Sequence, residues 1–330
     1  MKPTIDLAVI GAGPCGIAVG AAAAQAGTSA VLFDRGPLTA SLLDYPYYMT
    51  FFSTAQKLEI GGVPFTIPDS RPTRRDALAY YRRVVKHYDI DVRQYHAVTG
   101  VTRATNGFRL DIRKRDRSTL EISARHVAVA IGGFHEPNAL GVDGEDLPKV
   151  HHYYREPYLF TDQDVLVVGA GNSAVEAALE MYRNDVRVQL VHFADRIDKG
   201  VKPWVVPDIT NRIEKGEIPV HWNHRVAEIR WNDVVLRHVE TGQTRTVPND
   251  AVVAMTGWRA KPTILRSLGV GIDDETGIPS HDPETMETDV PGVFIAGVLA
   301  AGHNANKIFI ENGKEHGGRI VRALGRTPVA

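Results

Sequence analysis

The chain has 330 residues, and its 38 basic and 39 acidic side chains leave a net charge of −1. This length is typical of about two domains, and the balanced charge argues against nucleic acid or an acidic membrane surface as the main partner. The single cysteine, Cys15, excludes an internal disulfide and a cysteine-rich metal site, and it favours a reducing, cytoplasmic compartment.

The most apolar stretch, residues 7–33, is interrupted by glycines and a proline and ends at Asp34. No uninterrupted apolar run of about 18 residues follows it. We therefore expect no membrane span and no targeting segment. No motif in the sequence indicates a metal site.

The first predicted elements form a strand, loop, helix and strand unit. An apolar strand at 5–10 precedes a glycine loop, a helix of small residues covers 17–26, and a second apolar strand covers 29–33. The loop fits the pattern G-x-G-x-x-G and reads Gly11, Ala12, Gly13, Pro14, Cys15 and Gly16.

This loop has the chemistry of a dinucleotide site. Gly11 makes the tight turn, Gly13 lets the backbone approach a pyrophosphate, and Gly16 lets the helix and strand pack closely. The N-terminus of the helix attracts the phosphates. Asp34, 18 residues after Gly16, offers a carboxylate to a ribose diol.

The middle of the first half predicts a helix and antiparallel strands. Residues 71–88 are rich in arginine and have the pattern of an amphipathic helix. Residues 108–113 and 120–129 alternate between apolar and polar side chains, which predicts antiparallel strands beside the main sheet.

The same unit returns in the second half of the chain. Strands are predicted at 165–168 and 186–191, with a helix at 172–182 between them. The loop has the form G-x-G-x-x-A and reads Gly169, Ala170, Gly171, Asn172, Ser173 and Ala174. An antiparallel ribbon is predicted from three further strands and a turn, at 226–229, 234–238, 244–247 and 241–242.

The second unit differs at the end of its second strand, where His192 stands in place of a carboxylate. Three cations follow in a short loop: Arg196, Lys199 and Lys202. The loss of the acid removes repulsion toward a 2′-phosphate and the cations attract one, which favours NADPH over NADH. A solvated loop is the alternative, since Asp195 and Asp198 partly cancel the charge.

Two dinucleotide sites in one chain indicate a relay, in which a nicotinamide reduces a flavin and the electrons then reach a substrate. Their order places FAD in the first site. The sequence thus predicts an α/β protein with two Rossmann-like dinucleotide-binding domains, each with an antiparallel β meander. A redox sensor that binds both cofactors without turnover is an alternative of a different class.

Further segments resemble the thioredoxin-reductase-like flavoproteins over nearly the whole chain. They are 127–133 and 254–257, similar to that family's "ATG" segments, and 291–297, similar to its C-terminal flavin motif. In that family the NAD(P) domain is inserted into the FAD domain. The resemblance implies FAD-binding pieces at 1–133 and 257–330, an inserted NADPH-binding domain at 134–256, and a homodimer or higher homo-oligomer.

Two departures narrow the resemblance. Thioredoxin reductases carry a C-x-x-C pair that a chain with one cysteine lacks, and Val298 follows Gly297 where they have an aspartate. Four strings are similar to the YpdA-type bacillithiol disulfide reductases: 50–54, 58–61, 202–208 and 307–312. This implies an FAD-dependent, NADPH-consuming enzyme that reduces a low-molecular-weight disulfide, bacillithiol disulfide, as its small-molecule substrate.

The predicted cofactor contacts extend beyond the two glycine loops. The flavin contacts implied by the resemblance are Arg35, Thr54, Val98, Gly132, Gly297, Val298, Lys307 and Ile308, with Glu311 nearby. The predicted nicotinamide contacts are Gly169, Gly171, Asn172, Ser173, Ala174, His192, Arg196 and Lys202. Trp204 is predicted to shape a substrate wall or to pack in the core.

Cys15 is the predicted catalytic residue. It stands at the entry to the first helix, where the helix dipole and backbone amides are expected to lower the pKa of its thiol. The thiolate would attack the disulfide, release one thiol and be freed by electrons from the flavin. The alternative is a small residue chosen for packing, in which case the disulfide contacts the flavin directly or the acceptor is different.

Other roles remain open in the sequence. His135 and His303 are candidate proton donors to a leaving thiolate, against a structural role. The alternative function is a thioredoxin-reductase-like ferredoxin or flavodoxin NADP reductase without a thiol step, for which the arginines of 71–83 would dock the partner. A flavin-dependent monooxygenase also has two such loops, but the specific strings disfavour it.

Overall fold

The computed structural model describes residues 5–134, 136–258, 260–304 and 307–325. Contacts along the backbone divide the chain into two compact units. The first unit comprises the described residues of 1–43, 48–136 and 259–330, and the second comprises residues 44–47 and the described residues of 137–258. The second unit therefore interrupts the first along the chain.

The strands of the described residues alternate with short helices. The strands are β1 (Ile5–Ile10), β2 (Ala30–Phe33), β3 (Asp91–Arg93), β4 (His96–Ala104), β5 (Gly107–Lys114), β6 (Thr119–Val129), β7 (Val150–His151), β8 (Asp164–Val168), β9 (Arg187–Val191), β10 (Val220–His221), β11 (His224–Ile229), β12 (Asp233–His238), β13 (Thr244–Pro248), β14 (Ala251–Ala254) and β15 (Val293–Ile295). The α-helices are α1 (Pro14–Gln25), α2 (Ala40–Leu43), α3 (Arg74–His87), α4 (Asn172–Arg183), α5 (Val206–Glu214), α6 (Thr263–Ser267), α7 (Ile310–Gly313) and α8 (His316–Ala323). Three 3-10 turns are Gln56–Leu58, Pro157–Phe160 and Gly297–Ala301.

The first unit is built on one seven-stranded sheet. Its strand order is β3-β2-β1-β6-β5-β4, and β15 also pairs with β6. The pairs of β1 with β2 and β6 are parallel, whereas β4, β5 and β6 are antiparallel. The predicted antiparallel strands are confirmed, and they join the main sheet because the C-terminal half of the long strand β6 pairs with β1.

The helix of small residues, α1, packs closely on its neighbours. Most of its residues are buried, and a Cβ added at Gly317 of α8 would lie 2.5 Å from the carbonyl oxygen of Ala18. Such a short approach between two helices is possible only with small side chains. The run of alanines and glycines therefore serves helix packing around the first glycine loop.

The amphipathic helix predicted at 71–88 is confirmed as α3. It begins at Arg74 because Thr73 and Asp76 form a capping box, in which each side chain hydrogen-bonds the backbone amide of the other. Its side chains Tyr81 and Val84 are buried, whereas Arg75, Arg82 and Arg83 are exposed.

The second unit contains a five-stranded parallel sheet and a separate three-stranded sheet. The parallel order is β10-β9-β8-β14-β7, and the antiparallel order is β11-β12-β13. Gly242 takes a positive φ of 71° in the turn before β13, as the turn predicted at 241–242 requires. The predicted repeat of the strand, loop and helix unit and its ribbon are confirmed.

The predicted α/β class with two Rossmann-like units is thus confirmed, since each glycine loop lies between a buried parallel strand and a helix. Within the described residues, no helix combines the length and the apolar character needed to cross a membrane.

Candidate functional site

The first glycine loop leaves space at one glycine and none at the others. Gly11 has a φ of +112°, and a Cβ there would lie 2.4 Å from the carbonyl oxygen of Ala130. A Cβ on Gly16 would lie 2.0 Å from the carbonyl oxygen of Gly11, whereas nothing lies within 4 Å of a Cβ on Gly13. Gly11 and Gly16 are therefore needed for packing, and Gly13 is the point open to a ligand.

Helix α1 begins at Pro14 directly after this open point. No side chain hydrogen-bonds the amides of its first turn. Uncapped amides and the helix dipole favour an anion. The loop and the helix start therefore fit the pyrophosphate of a dinucleotide.

Asp34 follows β2 and fastens the loop. Its Oδ2 accepts a hydrogen bond from the Ala12 amide at 2.7 Å, and its Oδ1 accepts one from the Gly36 amide at 2.8 Å. Burial raises the pKa of Asp34, although the two amides and the neighbouring Arg35 lower it. Each carboxylate oxygen keeps a lone pair for a ribose hydroxyl.

The second loop repeats this backbone with different side chains. Gly169 has a φ of +123°, and a Cβ there would lie 2.5 Å from the carbonyl oxygen of Met255. Helix α4 begins directly after Gly171, and no side chain caps its first turn. A Cβ on Gly171 would meet only the Asp198 carboxylate, at 3.2 Å. The second loop therefore also fits a pyrophosphate, with an acidic side chain beside it.

Asn172, a predicted cofactor contact, uses its side chain inside the protein. Its Nδ2 donates to the Gly200 carbonyl at 2.8 Å, and its Oδ1 accepts from the Lys202 amide at 2.9 Å. The loop at 193–202 is therefore fastened to the start of α4. Next to Asn172, Ser173 is exposed.

His192 lies at the end of β9 and is nearly buried, with 4% of its surface exposed. Its Nε2 lies 3.3 Å from Asp198 Oδ1. Burial lowers the pKa of His192, and Arg225 lowers it further, against the opposing effect of Asp198. Arg196 Nε lies 2.9 Å from Asp195 Oδ1 in an exposed ion pair, so this predicted phosphate contact already has an acidic partner.

Glu176 lies on α4 one turn after the second loop. Burial raises its pKa to about 7, although the charge of Lys202 lowers it. The group therefore titrates near neutral pH beside the loop.

Arg225 is a residue that the sequence analysis missed. Its guanidinium carbon lies 4.5 Å from the centre of the Phe193 ring, one residue after His192. The predicted ribbon contained the neighbouring residues 226–229, but nothing in the sequence indicated that this strand begins beside the end of β9.

Cys15 packs against the C-terminal segment of the first unit. A Cβ added at Gly297 would lie 2.9 Å from Cys15 Sγ, and one added at Gly313 would lie 3.0 Å from the same sulfur. Ile308 also borders Gly313. The structure thus brings the first loop together with Gly297 and Ile308, two of the predicted flavin contacts.

The expectation that the helix start lowers the pKa of Cys15 is wrong. Burial raises the pKa of this thiol to about 12. The dipole of one helix end is too weak to offset the loss of solvent around a charged sulfur. Cys15 is therefore a neutral thiol in this structure.

His316 is a second residue that the sequence analysis missed. Its Nδ1 accepts a hydrogen bond from the Gly297 amide at 3.1 Å. Burial lowers the pKa of His316 to about 4, so the ring stays neutral and keeps this acceptor at physiological pH. His316 therefore fixes the backbone that packs against Cys15.

The remaining predicted flavin contacts lie on several elements of the first unit. Val298 Cγ1 would lie 3.3 Å from a Cβ on Gly133, next to Gly132, so the segments 132–133 and 297–298 are neighbours. Arg35 is exposed and follows Asp34, and Thr54 lies just before the first 3-10 turn. Val98 lies on β4 opposite Ile112. The backbone carbonyl of Lys307 accepts a hydrogen bond from the Asn312 side chain. Within the described residues, no hydrogen bond joins Thr54 or Val98 to the first loop.

Other candidates are placed differently. Glu311 Oε2 accepts a hydrogen bond from the Ser53 hydroxyl at 2.7 Å. Trp204 is 56% exposed, so it does not pack in the core. His135 lies outside the described residues. His303 packs its ring on Gly277, where a Cβ would lie 2.5 Å from His303 Cε1.

His303 also borders a basic cavity of about 260 Å³ in the first unit. The side chains that give the cavity its character are Lys261, Thr263, Arg266, Leu299 and His303. Leu299 follows Val298, so the cavity adjoins the C-terminal segment. Across the described ranges, no cluster of three or more histidine, cysteine or acidic residues could hold a metal ion.

Comparison with known proteins identifies the family to which the chain belongs. The model of the pyridine nucleotide-disulphide oxidoreductases matches residues 8–297. Bacilliredoxin reductase Bdr of Bacillus subtilis (strain 168) is 41% identical over 319 residues, which are 96% of this chain and 97% of that protein.

Two solved structures are also similar. The bacillithiol disulfide reductase Bdr (YpdA) from Bacillus cereus has 37% identity and a TM-score of 0.95, with 98% of this chain and 99% of the other covered. The enzyme of that title from Staphylococcus aureus has 36% identity and a TM-score of 0.91, with 98% of both chains covered. This chain therefore belongs to the pyridine nucleotide-disulphide oxidoreductase family, as a flavoprotein disulfide reductase that uses a pyridine nucleotide and groups with Bdr (YpdA).

Proposed function

We propose that this protein reduces bacillithiol disulfide with electrons from NADPH, carried by FAD. The observation that carries the proposal is the pair of glycine loops, each followed by a helix start without a side-chain cap, with open space at Gly13 in the first loop. Two such loops serve a transfer between two redox cofactors. The titles of the two similar structures supply bacillithiol disulfide as the acceptor, whereas the name of the Bacillus subtilis relative gives bacilliredoxin.

FAD is assigned to the first unit because an acid, Asp34, directly follows its second strand β2. The amides of Gly13, Cys15 and Gly16 would hold the pyrophosphate and Asp34 the ribose, since the Gly11 and Ala12 amides already bond within the protein. The segments at 132–133 and 297–298 would flank the flavin, with Arg35, Thr54, Val98, Lys307 and Ile308 as proposed contacts. Bound FAD would supply the two-electron step between nicotinamide and disulfide.

NADPH is assigned to the second unit. The amides of the loop from Gly169 to Ala174 would hold its pyrophosphate at the start of α4. Asn172 fastens the cationic loop beside this site. His192, Arg196 and Lys202 are the proposed contacts of the adenosine end, where no acid directly follows β9.

Cys15 is the proposed nucleophile. Its thiolate attacks one sulfur of bacillithiol disulfide, the substrate's S–S bond breaks, a mixed disulfide forms and one bacillithiol thiolate leaves. Two electrons, which bound FAD would supply, and one proton would then break the mixed disulfide, release the second thiol and restore the Cys15 thiolate. Because burial raises the pKa of Cys15 to about 12, the proposal requires that the thiolate forms only in the substrate complex.

His303 is the proposed donor of the proton to the leaving thiolate. It borders the basic cavity next to Leu299, together with Lys261 and Arg266. Lys261 is ion-paired with Glu136, so Arg266 is the cation of this cavity that would attract an anionic group of the substrate. The cavity is therefore the proposed place for the part of the disulfide that does not react.

The test is a steady-state assay of NADPH oxidation with bacillithiol disulfide at matched FAD content. We expect disulfide-dependent turnover in the natural chain and a loss on the order of a thousandfold in Cys15→Ala. Oxidation of NADPH by ferricyanide, which needs no thiol, should be retained in the variant. Full disulfide turnover in Cys15→Ala would remove the thiol step and leave the reductase.

A ferredoxin or flavodoxin reductase is the second candidate, and the exposed face of α3 favours it. Four cations lie on this face, and none has an ion-pair partner among the described residues: Arg75, Arg82, Arg83 and Lys86. Such a face suits an acidic protein partner. Fast reduction of ferredoxin together with no response to bacillithiol disulfide would replace the first proposal by this one.

A further inference from the structure

The end of β9 in the second unit is built like the end of β2 in the first. The Gly169 amide donates to the carbonyl of Val191 at 2.9 Å, and the Gly11 amide donates to that of Phe33 at 2.8 Å. The next residue of each strand, His192 or Asp34, donates its amide to the neighbouring parallel strand. His192 thus holds the position from which an acid reaches the ribose 2′-hydroxyl in an NAD site.

The chain between β10 and β11 passes directly beside this position. The Asn223 amide donates to the carbonyl of Ala194, and the His224 amide donates to that of His192, both at 3.0 Å. These two bonds fix the start of β11. Arg225 then places its guanidinium 4.5 Å from the centre of the Phe193 ring, where a cation and an aromatic face attract each other.

A second arginine lies opposite the first. Arg225 pairs with Arg237 across the antiparallel strands β11 and β12, and directly opposed side chains share one face of a sheet. Both are exposed, and neither has an ion-pair partner within the described part of the chain. Like charges in directly opposed positions destabilise a sheet, so an anion between them would be stabilising.

The 2′-phosphate of NADPH matches this pair. A phosphate monoester carries about −1.5 to −2 charges near neutral pH and offers three acceptor oxygens. One guanidinium group can donate two parallel hydrogen bonds to two oxygens of a phosphate. Among the three cations predicted from the sequence for this phosphate, Arg196 is already paired with Asp195.

One carboxylate competes with this assignment. Asp198 lies beside His192 and the second loop, where it could accept a ribose hydroxyl as the acid of an NADH site does. Its single negative charge opposes two positive charges. The balance of charge at this end of the site therefore favours a phosphorylated ribose.

We propose that Arg225 and Arg237 form a binding site for the 2′-phosphate of NADPH, that the Phe193 ring holds Arg225 in place, and that this pair selects NADPH over NADH. The inference rests on the proposed function, because it requires a pyridine nucleotide at the second glycine loop.

The experiment is isothermal titration calorimetry of NADP⁺ and NAD⁺ with the FAD-loaded protein. In Arg225→Ala, we expect the dissociation constant for NADP⁺ to rise between about tenfold and a hundredfold, as for a lost charge-assisted contact. Arg237→Ala should raise it by about tenfold, and Arg225→Lys should retain part of the affinity. The affinity for NAD⁺ should change less than about twofold in each variant, because NAD⁺ lacks the phosphate.

The matched control is Arg230→Ala, which removes another exposed arginine near this sheet whose guanidinium is paired with Glu228. It should leave both affinities unchanged. Equal weakening of NADP⁺ and NAD⁺ in Arg225→Ala would show a structural role and overturn the proposal, as would tighter binding of NAD⁺ than NADP⁺ in the natural chain. No binding of either dinucleotide would overturn the proposed function as well.

Discussion

The two glycine loops of this chain have one backbone and two sets of side chains. In both loops the first glycine takes a positive φ, and its amide donates a hydrogen bond to the last carbonyl of the second strand. In both, the helix begins without a side-chain cap. They differ in the residue that follows the strand, because Asp34 accepts two loop amides whereas His192 is buried beside Asp198. Under the proposed function, the shared backbone would hold a pyrophosphate in both loops, and the residue after the strand would decide which ribose is accepted.

The second residue of each helix shows the same contrast. Cys15 and Ser173 hold equivalent places, four residues after the first glycine of each loop. Cys15 packs against Gly297 and Gly313 and is partly buried, whereas Ser173 is exposed. The surroundings, rather than the helix start, therefore decide how a thiol would behave at this place.

The largest expected effect compares thiols at these two places. Burial raises the pKa of Cys15 to about 12, whereas a cysteine at position 173 would be exposed at a helix start, where pKa values fall below about 8.5. We expect iodoacetamide to modify the double variant Ser173→Cys, Cys15→Ala on the order of a thousandfold faster at pH 7.5 than it modifies Cys15 in the natural chain. Mass spectrometry of timed samples gives both rates.

The pH dependence supplies the control. Modification of Cys15 should accelerate by about tenfold per pH unit from 7 to 10, since the thiolate fraction is still rising there. A plateau for Cys15 near pH 9 would show that its thiol is not shielded from solvent.

The next largest expected effect, on stability, concerns the last residue of each loop pattern, which is Gly16 in the first loop and Ala174 in the second. A Cβ on Gly16 would lie 2.0 Å from the carbonyl oxygen of Gly11, whereas the second loop carries Ala174 at this place. We expect Gly16→Ala to lower the free energy of unfolding by about 3 kcal/mol or more, measured by denaturant titration. The control, Gly13→Ala, should stay folded because nothing lies within 4 Å of its Cβ. Equal stability of the two variants would contradict this account.

Removal of the acid from the first loop should have a smaller effect. Asp34→Asn keeps one acceptor oxygen but cannot accept both the Ala12 and Gly36 amides. We expect a loss of about 1 to 3 kcal/mol in FAD affinity, measured as flavin released on dialysis and detected by its fluorescence. Unchanged retention of FAD would separate Asp34 from the cofactor and restrict it to holding the loop.

The smallest effect concerns one position near the start of each helix, which is Glu176 in α4 and Ala18 in α1. Burial raises the folded-state pKa of Glu176 from 4.5 to about 7. The stability associated with its proton is therefore present below pH 4.5 and is lost as the pH rises through 7. We expect Glu176→Gln to raise the melting temperature at pH 8 by a few degrees and to have little effect at pH 4.5. A rise of the same size at both pH values would assign the gain to packing.

Much of the structure of the two loops could be predicted from the sequence, because the features concerned depend on residues close together in the chain. The glycine loops, Asp34 and the helix at 74–87 each depend on residues within about one βαβ unit, where spacing and periodicity carry the signal. The parallel repeat at 165–191 follows from the same local pattern.

The parts that sequence analysis missed depend on contacts distant in the chain. Cys15 is shielded by Gly297 and Gly313, nearly 300 residues away, so only the folded structure gives the sign of its pKa shift. Arg225 reaches Phe193 because two backbone bonds set the start of β11. Neither the tertiary enclosure of a side chain nor the register of a distant strand has a local sequence signal.

The two hydrogen bonds of the Asn172 side chain have a thermodynamic consequence for the second loop. They hold the segment 193–202 against α4 through Gly200 and Lys202, so the segment is ordered as part of folding. A loop that is already ordered loses little conformational entropy when a nucleotide arrives, and more of the contact energy appears as affinity. Under the proposed function, Asn172 would contribute to nucleotide binding through preorganisation, and Pro14, its counterpart in the first loop, has no side-chain group that could do the same.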